Sequence, residues 1–290
     1  MDNVHDMNNA QTIGVIGAGT MGNGIAQVCA LAGLPVVMLD VDDKRVARGR
    51  DAIATALERL VKKSRLSAGE RDAALGRLRG ATDYGALGDC DFIVEAATED
   101  EPLKLGILRQ ADALAKEGAI VATNTSSISI TKLAAAMRRP GQFVGLHFFN
   151  PVPLMALVEV VRGRATGAAS VEAAVALAMR LGKTPVVVED SPGFVVNRLL
   201  CPMLNEAVLA CGEGIASAAD IDEAMKLGCN HPIGPLALAD LIGLDVLLAV
   251  MEVFHRELKD PKYRPAPLLK QMVAAGQLGR KSGRGFHPYS

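Results

Sequence analysis

Ile13-Gly14-Val15-Ile16, then Gly17-Ala18-Gly19-Thr20-Met21-Gly22, then Asn23 to Leu31, and finally Pro35-Val36-Val37-Met38-Leu39-Asp40 make up the stretch whose reading decides the fold. The first apolar run suits a strand buried on both faces, and the small-residue segment after the glycines suits a closely packed helix. Gly17 permits the tight strand-to-helix turn, Gly19 lets backbone approach a pyrophosphate, and Gly22 lets helix and strand pack closely. The start of that helix offers unpaired N–H groups and the positive end of its dipole to an anion. Asp40 closes the second run roughly 20 residues past the glycines, where a carboxylate accepts hydrogen bonds from ribose hydroxyls. A lone glycine motif fits any tight turn. Strand, turn, helix, second strand and acid in register point to a dinucleotide. Asp40 repels a ribose 2′-phosphate, so NAD is favoured over NADP. Lys44 and Arg45 follow closely, either softening that preference or lying as solvated charges at the start of the next helix.

The 290 residues are enough for one large domain or two ordinary ones, and 50% are hydrophobic against 22% charged. With a net charge of −1, no Trp and 3% aromatics, the chain has neither the basic field nor the stacking residues of a nucleic-acid binder. Met1 to Ala10 is polar and poor in Arg and reads as a loose tail, unlike a secretory signal or a transit peptide. No apolar stretch reaches the roughly 18 residues that span a bilayer, so no membrane association is expected. Cys29, Cys90, Cys201, Cys211 and Cys229 show neither paired nor metal-ligand spacing, so no metal site or disulfide framework is expected. A reducing, cytoplasmic setting fits them.

Lys44 to Lys63 carries an apolar stripe (Val46, Ile53, Leu57, Leu60, Val61) and reads as a helix. Ser67-Ala68-Gly69-Glu70 is a capping-box pattern opening a second helix to Leu78, so the pair is expected to project as a hairpin. Its basic residues Lys62, Lys63 and Arg65 suit a phosphorylated substrate or a solvated helix end. Strands at 91–95, 119–123, 143–147, 156–161 and 185–188 then alternate with helices at 103–114 and 130–137. The pattern predicts an α/β fold: a Rossmann-type, doubly wound, mostly parallel sheet with a second, all-helical domain. Residues 1–189 are expected to form the NAD-binding domain with its hairpin. Residues 190–290 are expected to form the helical domain that supplies substrate and dimer contacts. In that second part, helices are expected at 194–211, 217–227, 235–258 and 267–275. Leu238, Leu241, Leu244, Val246, Leu247, Leu248 and Val250 make the third apolar on several faces, which suggests a homodimer.

Ligands of such sheets lie beyond the carboxyl ends of the strands. That rule gathers Gly17, Asp40, Glu95 to Glu99, Asn124 to Ser127 and His147 to Asn150 on one rim. Oxidising an alcohol needs a base for its proton. Among the histidines, His5 lies in the tail, His231 in a Pro-rich turn, His255 in a charged helix end and His287 near the terminus. Only His147 closes a sheet strand. Glu159 follows it after the excursion Asn150-Pro151-Val152-Pro153, which suits a return beside the imidazole. Position alone leaves His147 open as a base or as a hydrogen-bonded core histidine.

The segment His147-Phe148-Phe149-Asn150-Pro151-Val152-Pro153-Leu154-Met155-Ala156-Leu157-Val158-Glu159 closely resembles the signature of the short-chain 3-hydroxyacyl-CoA dehydrogenase family. Within that family it is similar in particular to the bacterial 3-hydroxybutyryl-CoA dehydrogenases. Val94-Glu95-Ala96-Ala97-Thr98-Glu99, Asn124-Thr125-Ser126-Ser127, Asp190 to Arg198, Met225 to Pro235 and Gly279 to Phe286 extend the resemblance over nearly the whole chain. It implies NAD-dependent, reversible oxidation of an (S)-3-hydroxyacyl-CoA thioester, with closure of the two domains over NAD and thioester. It implies His147 as base, Glu159 as its partner, and Ser126 and Asn197 as hydrogen-bond donors to substrate oxygens. Gly17, Ala18, Gly19, Thr20, Met21, Gly22 and Asp40 would hold the adenosine and pyrophosphate. Glu99, Lys104, Ser126, Asn150 and Lys281 would meet the nicotinamide half, and Lys63 coenzyme A. Ala56 replaces a Ser that many relatives carry, which removes one coenzyme A hydrogen bond. Without the resemblance, Ser126 also reads as a helix cap, Asn197 as a backbone partner and Lys104 as a surface charge. Rival readings are an L-gulonate-type or other 3-hydroxyacid dehydrogenase, or a non-catalytic NAD-binding protein. The 3-hydroxyisobutyrate type carries a lysine where Gly193 stands relative to Asn197, which argues against it.

Overall fold

Runs that are apolar on both faces, with a polar residue only at their ends, become the central strands of the computed structural model, which describes residues 11–289. The tail expected at Met1 to Ala10, with His5, lies outside the described residues. Strands β1 (Ile13–Ile16), β2 (Val36–Leu39) and β4 (Phe92–Glu95) are buried at every position, as parallel strands covered by helices must be. With β3 (Leu78–Ala81), β5 (Ile120–Thr123), β6 (Phe143–Phe148), β7 (Leu157–Arg162) and β8 (Thr184–Glu189), they form one sheet of order β3-β2-β1-β4-β5-β6-β7-β8. Only the β6–β7 pair is antiparallel. The order reverses between β1 and β4, the switch point at which such sheets bind their ligands.

The helices of this part are α1 (Thr20–Leu31), α2 (Asp43–Lys62), α3 (Ala68–Gly76), α4 (Glu101–Leu114), α5 (Ile130–Ala134) and α6 (Ala168–Arg180). Ile25, Cys29, Ile53 and Leu57 from α1 and α2 join Val15, Met38 and Val94 in one core. The capping box at α3 forms as expected, with the Ser67 hydroxyl accepting from Glu70 N–H and Glu70 accepting from Ser67 N–H. Where the second helix was expected to run to Leu78, the chain instead leaves α3 at Gly76 and enters β3. Pairing with β2 decides this, since only Leu78 of β3 is buried and no local pattern marks it. The helix expected at 130–137 is likewise shorter and ends at Ala134.

The chain divides after Asp190 into two compact units. The second comprises α7 (Val196–Gly212), α8 (Ala218–Cys229), α9 (Pro235–Ile242), α10 (Leu244–Leu258) and α11 (Pro267–Ala274) around Leu204, Leu236, Leu247, Met251, Phe254 and Leu269. The single helix expected at 235–258 is broken in two. Gly243 has φ 106° and ψ 125°, a conformation that ends α9 and starts α10.

Candidate active site

The turn after β1 is as tight as its glycines imply. Gly17 has φ 102°, and a Cβ there would lie 2.7 Å from the Ala96 carbonyl oxygen. A Cβ on Gly22 would overlap the Gly17 carbonyl, whereas one on Gly19 would meet nothing within 4 Å. Gly19 therefore presents backbone to open space. It is also the N-cap of α1 without a side-chain hydrogen bond, so the first-turn N–H groups are left for an anion. Asp40, just past β2, accepts from Ala18 N–H at 2.7 Å and from Val41 N–H at 2.7 Å, with the Arg45 guanidinium 3.9 Å away. A cavity of about 410 Å³ opens here, lined by Gly17, Asp40, Arg45, Thr98, Leu103 and Ile107 among others. Its size lies in the range of small-molecule sites, and the uncapped turn and carboxylate match the pyrophosphate and ribose of NAD.

Beyond β4 and β5 the polar groups form a chain of contacts. Glu99 accepts from the Thr125 hydroxyl at 2.7 Å, from Ser126 N–H at 2.8 Å and from the Ser126 hydroxyl at 3.1 Å. Ser126 is not a helix cap, since Ser129 fills that position for α5. Lys104 is no surface charge either. It is fully buried, donating to Glu95 at 2.5 Å and Thr123 at 3.2 Å, with Glu99 4.0 Å away. With no exposed surface, what it offers a cofactor is indirect, through the two glutamates.

His147 and Glu159 are paired across the β6–β7 ladder, so their side chains share a face. Glu159 Oε2 lies 2.7 Å from His147 Nδ1, both residues are buried, and the Phe149 ring packs on the imidazole at 4.5 Å. A carboxylate at Nδ1 places the ring proton there and leaves Nε2 with the lone pair. Asn124 accepts from Phe148 N–H at 2.8 Å, tying the end of β6 to that of β5.

On the expected rim the structure thus brings together Gly17 to Gly22, Asp40, Glu99, Lys104, Ser126 and His147. Asn150 follows it, exposed. Lys63 lies off the rim, exposed at the C-cap of α2, and Ala56 is half-buried on the same helix. In the second unit, Asn197 is in the first turn of α7, and Lys281 pairs with Asp245 at 2.6 Å. Sequence reasoning placed Glu95 and Asn124 on the rim without giving either a role, and passed over Thr123 and Lys183. The first three share a signal, a polar residue closing or following an apolar buried strand. Lys183 donates to the carbonyls of Val152 at 2.6 Å and Met155 at 2.8 Å, and burial lowers its pKa. It holds the excursion between β6 and β7 whose Val152 lies against Gly24 of α1.

Comparison with known proteins matches residues 12–191 to the 3-hydroxyacyl-CoA dehydrogenase NAD-binding domain and residues 193–289 to the C-terminal domain of the same name. A 3-hydroxybutyryl-CoA dehydrogenase of Bradyrhizobium diazoefficiens is 52% identical, covering 96% of this chain and 94% of its own. A probable 3-hydroxybutyryl-CoA dehydrogenase of Deinococcus radiodurans is 51% identical over 95% of this chain and 99% of its own. Among solved structures, the (S)-3-hydroxybutyryl-CoA dehydrogenase of Ralstonia eutropha superposes with a TM-score of 0.95 at 58% identity, over 97% of this chain and 99% of its own.

Proposed function

This chain belongs to the 3-hydroxyacyl-CoA dehydrogenase family, and on that premise we propose that it reversibly oxidises (S)-3-hydroxyacyl-CoA to 3-oxoacyl-CoA. The relatives' names, 3-hydroxybutyryl-CoA dehydrogenase, support the short-chain pair 3-hydroxybutyryl-CoA and acetoacetyl-CoA as its substrates. NAD, when bound, supplies the acceptor for the hydride leaving C3. The rest of the chemistry belongs to this chain. His147 takes the hydroxyl proton on Nε2, while Glu159 holds Nδ1–H and offsets the charge of the imidazolium that results. Ser126 donates to a substrate oxygen, and the same role is assigned to Asn197. Gly17 to Gly22 and Asp40 hold the adenosine and pyrophosphate, and Glu99, Ser126, Asn150 and Lys281 meet the nicotinamide half, with Lys104 acting behind Glu99. Lys63 meets the coenzyme A moiety. The protein works in the cytoplasm as a homodimer, with residues 1–189 binding NAD and residues 190–290 contributing substrate and dimer contacts.

The observation that carries this reading is the 2.7 Å contact of Glu159 with His147 at the end of β6, on the rim that begins at the glycine turn. Its test is the loss of NADH absorbance with acetoacetyl-CoA. The wild type is expected to turn over, and His147→Ala to lose about 100-fold or more in kcat while its NADH affinity stays within about threefold. A wild type that binds NADH but leaves acetoacetyl-CoA untouched would overturn the thioester reading. Sugar acids and 3-hydroxyisobutyrate would be assayed next.

A further inference from the structure

Lys104 occupies an unfavourable place twice over. It lies in the first turn of α4, where the helix dipole opposes a positive charge, and it is fully buried. Its partner Glu95 is also fully buried. Stability does not call for such a pair, since apolar residues of similar volume commonly do as well or better in its place. The contacts around Glu95 suggest another reason for it. One carboxylate oxygen accepts from Ala97 N–H at 2.8 Å, and Ala97 is the backbone against which Gly17 packs. The other accepts from Lys104 and, at 2.6 Å, from the Thr123 hydroxyl. Lys104 in turn lies 4.0 Å from Glu99, whose two oxygens hold Thr125 and Ser126.

We propose that Glu95 is a positioning residue with two arms: through Ala97 it fastens the loop behind the dinucleotide turn, and through Lys104 it sets Glu99 and the Ser126 turn. The two arms sit on different oxygens, so they separate chemically. Glu95→Gln keeps an amide oxygen for Ala97 N–H but places the neutral amide nitrogen, itself a donor, beside the Lys104 ammonium. The ammonium then turns to Glu99 and draws it from Thr125. Glu95→Gln with Lys104→Met removes both charges, which buried pairs tolerate better than the loss of one, and leaves Glu99 without the cation that orients it.

The inference rests on the thioester reading, and the experiment separates the two. A wild type inactive on acetoacetyl-CoA defeats that reading, whereas an active wild type allows the variants to be judged. In both variants kcat/KM for acetoacetyl-CoA is expected to fall about tenfold. Because Glu95 acts through Glu99, Glu95→Gln is expected to add less than about twofold in a Glu99→Ala background. A folded double variant whose kcat/KM stays within about threefold of wild type would overturn the proposal. So would full additivity with Glu99→Ala, or the failure of both variants to fold, each of which makes the network merely structural.

Discussion

A histidine serves as a base only when something decides which of its nitrogens carries the proton. At His147 the strand register does this, because residue 159 is the one that β7 sets opposite residue 147. A shift of one residue would turn Glu159 to the other face of the sheet. Burial is equally decisive for the cysteines. It pushes the thiols of Cys29 and Cys201 up to about 12 and that of Cys90 up to about 11. Below those values the reactive thiolate is scarce, so raising the pH towards them is what would expose it. Iodoacetamide at about pH 8 is therefore expected to label the exposed Cys229 first, and Cys29 and Cys201 only after denaturation. Peptide mass spectrometry reads the order. Early labelling of Cys29 would contradict the packing of α1 into the core.

Elements were legible in the sequence where a local pattern marks them, and otherwise were not. The apolar runs of β1, β2 and, up to its closing Glu95, β4, the glycine turn and the capping box of α3 can each be read from a handful of residues. β3 cannot, because Leu-Arg-Gly-Ala has no run and no alternation and becomes a strand only by pairing with β2. The break between α9 and α10 is hidden for the opposite reason: the apolar pattern continues across Gly243 and conceals its backbone. Gly243→Ala puts a Cβ where φ is 106° and sets it 3.0 Å from Asp245 Oδ1 and 3.1 Å from Lys281 Nζ. The expected cost is about 1–3 kcal/mol, lowering Tm by about 2–4 °C for each kcal/mol. Thermal unfolding measures it, and an unchanged Tm would show that the break needs no glycine.

For the molecule as a whole, among the described residues no helix is long and apolar enough to cross a membrane. The second unit nonetheless keeps large apolar side chains in water. Leu199, Ile215 and Leu227 are 69%, 71% and 77% exposed, and Leu241 is 51% exposed. Scattered apolar residues are normal on a surface, but four on one small helical unit agree with the proposed homodimer. Light scattering is expected to return twice the chain mass of 30.4 kDa, and a monomer at micromolar concentration would overturn the dimer. The amino-acid sequence by itself determined the dinucleotide turn, the doubly wound sheet, the helical second part and His147 as the histidine at a strand end. Each of these is written in short-range spacing, where glycines, apolar runs and strand ends act on their immediate neighbours. Only the tertiary structure decided that Glu159 stands at His147 Nδ1, that Lys104 is buried between two glutamates, and that Glu99 holds Ser126. Those pairings join residues far apart in the chain. They are set by strand register and by the burial of charge, which no local periodicity records.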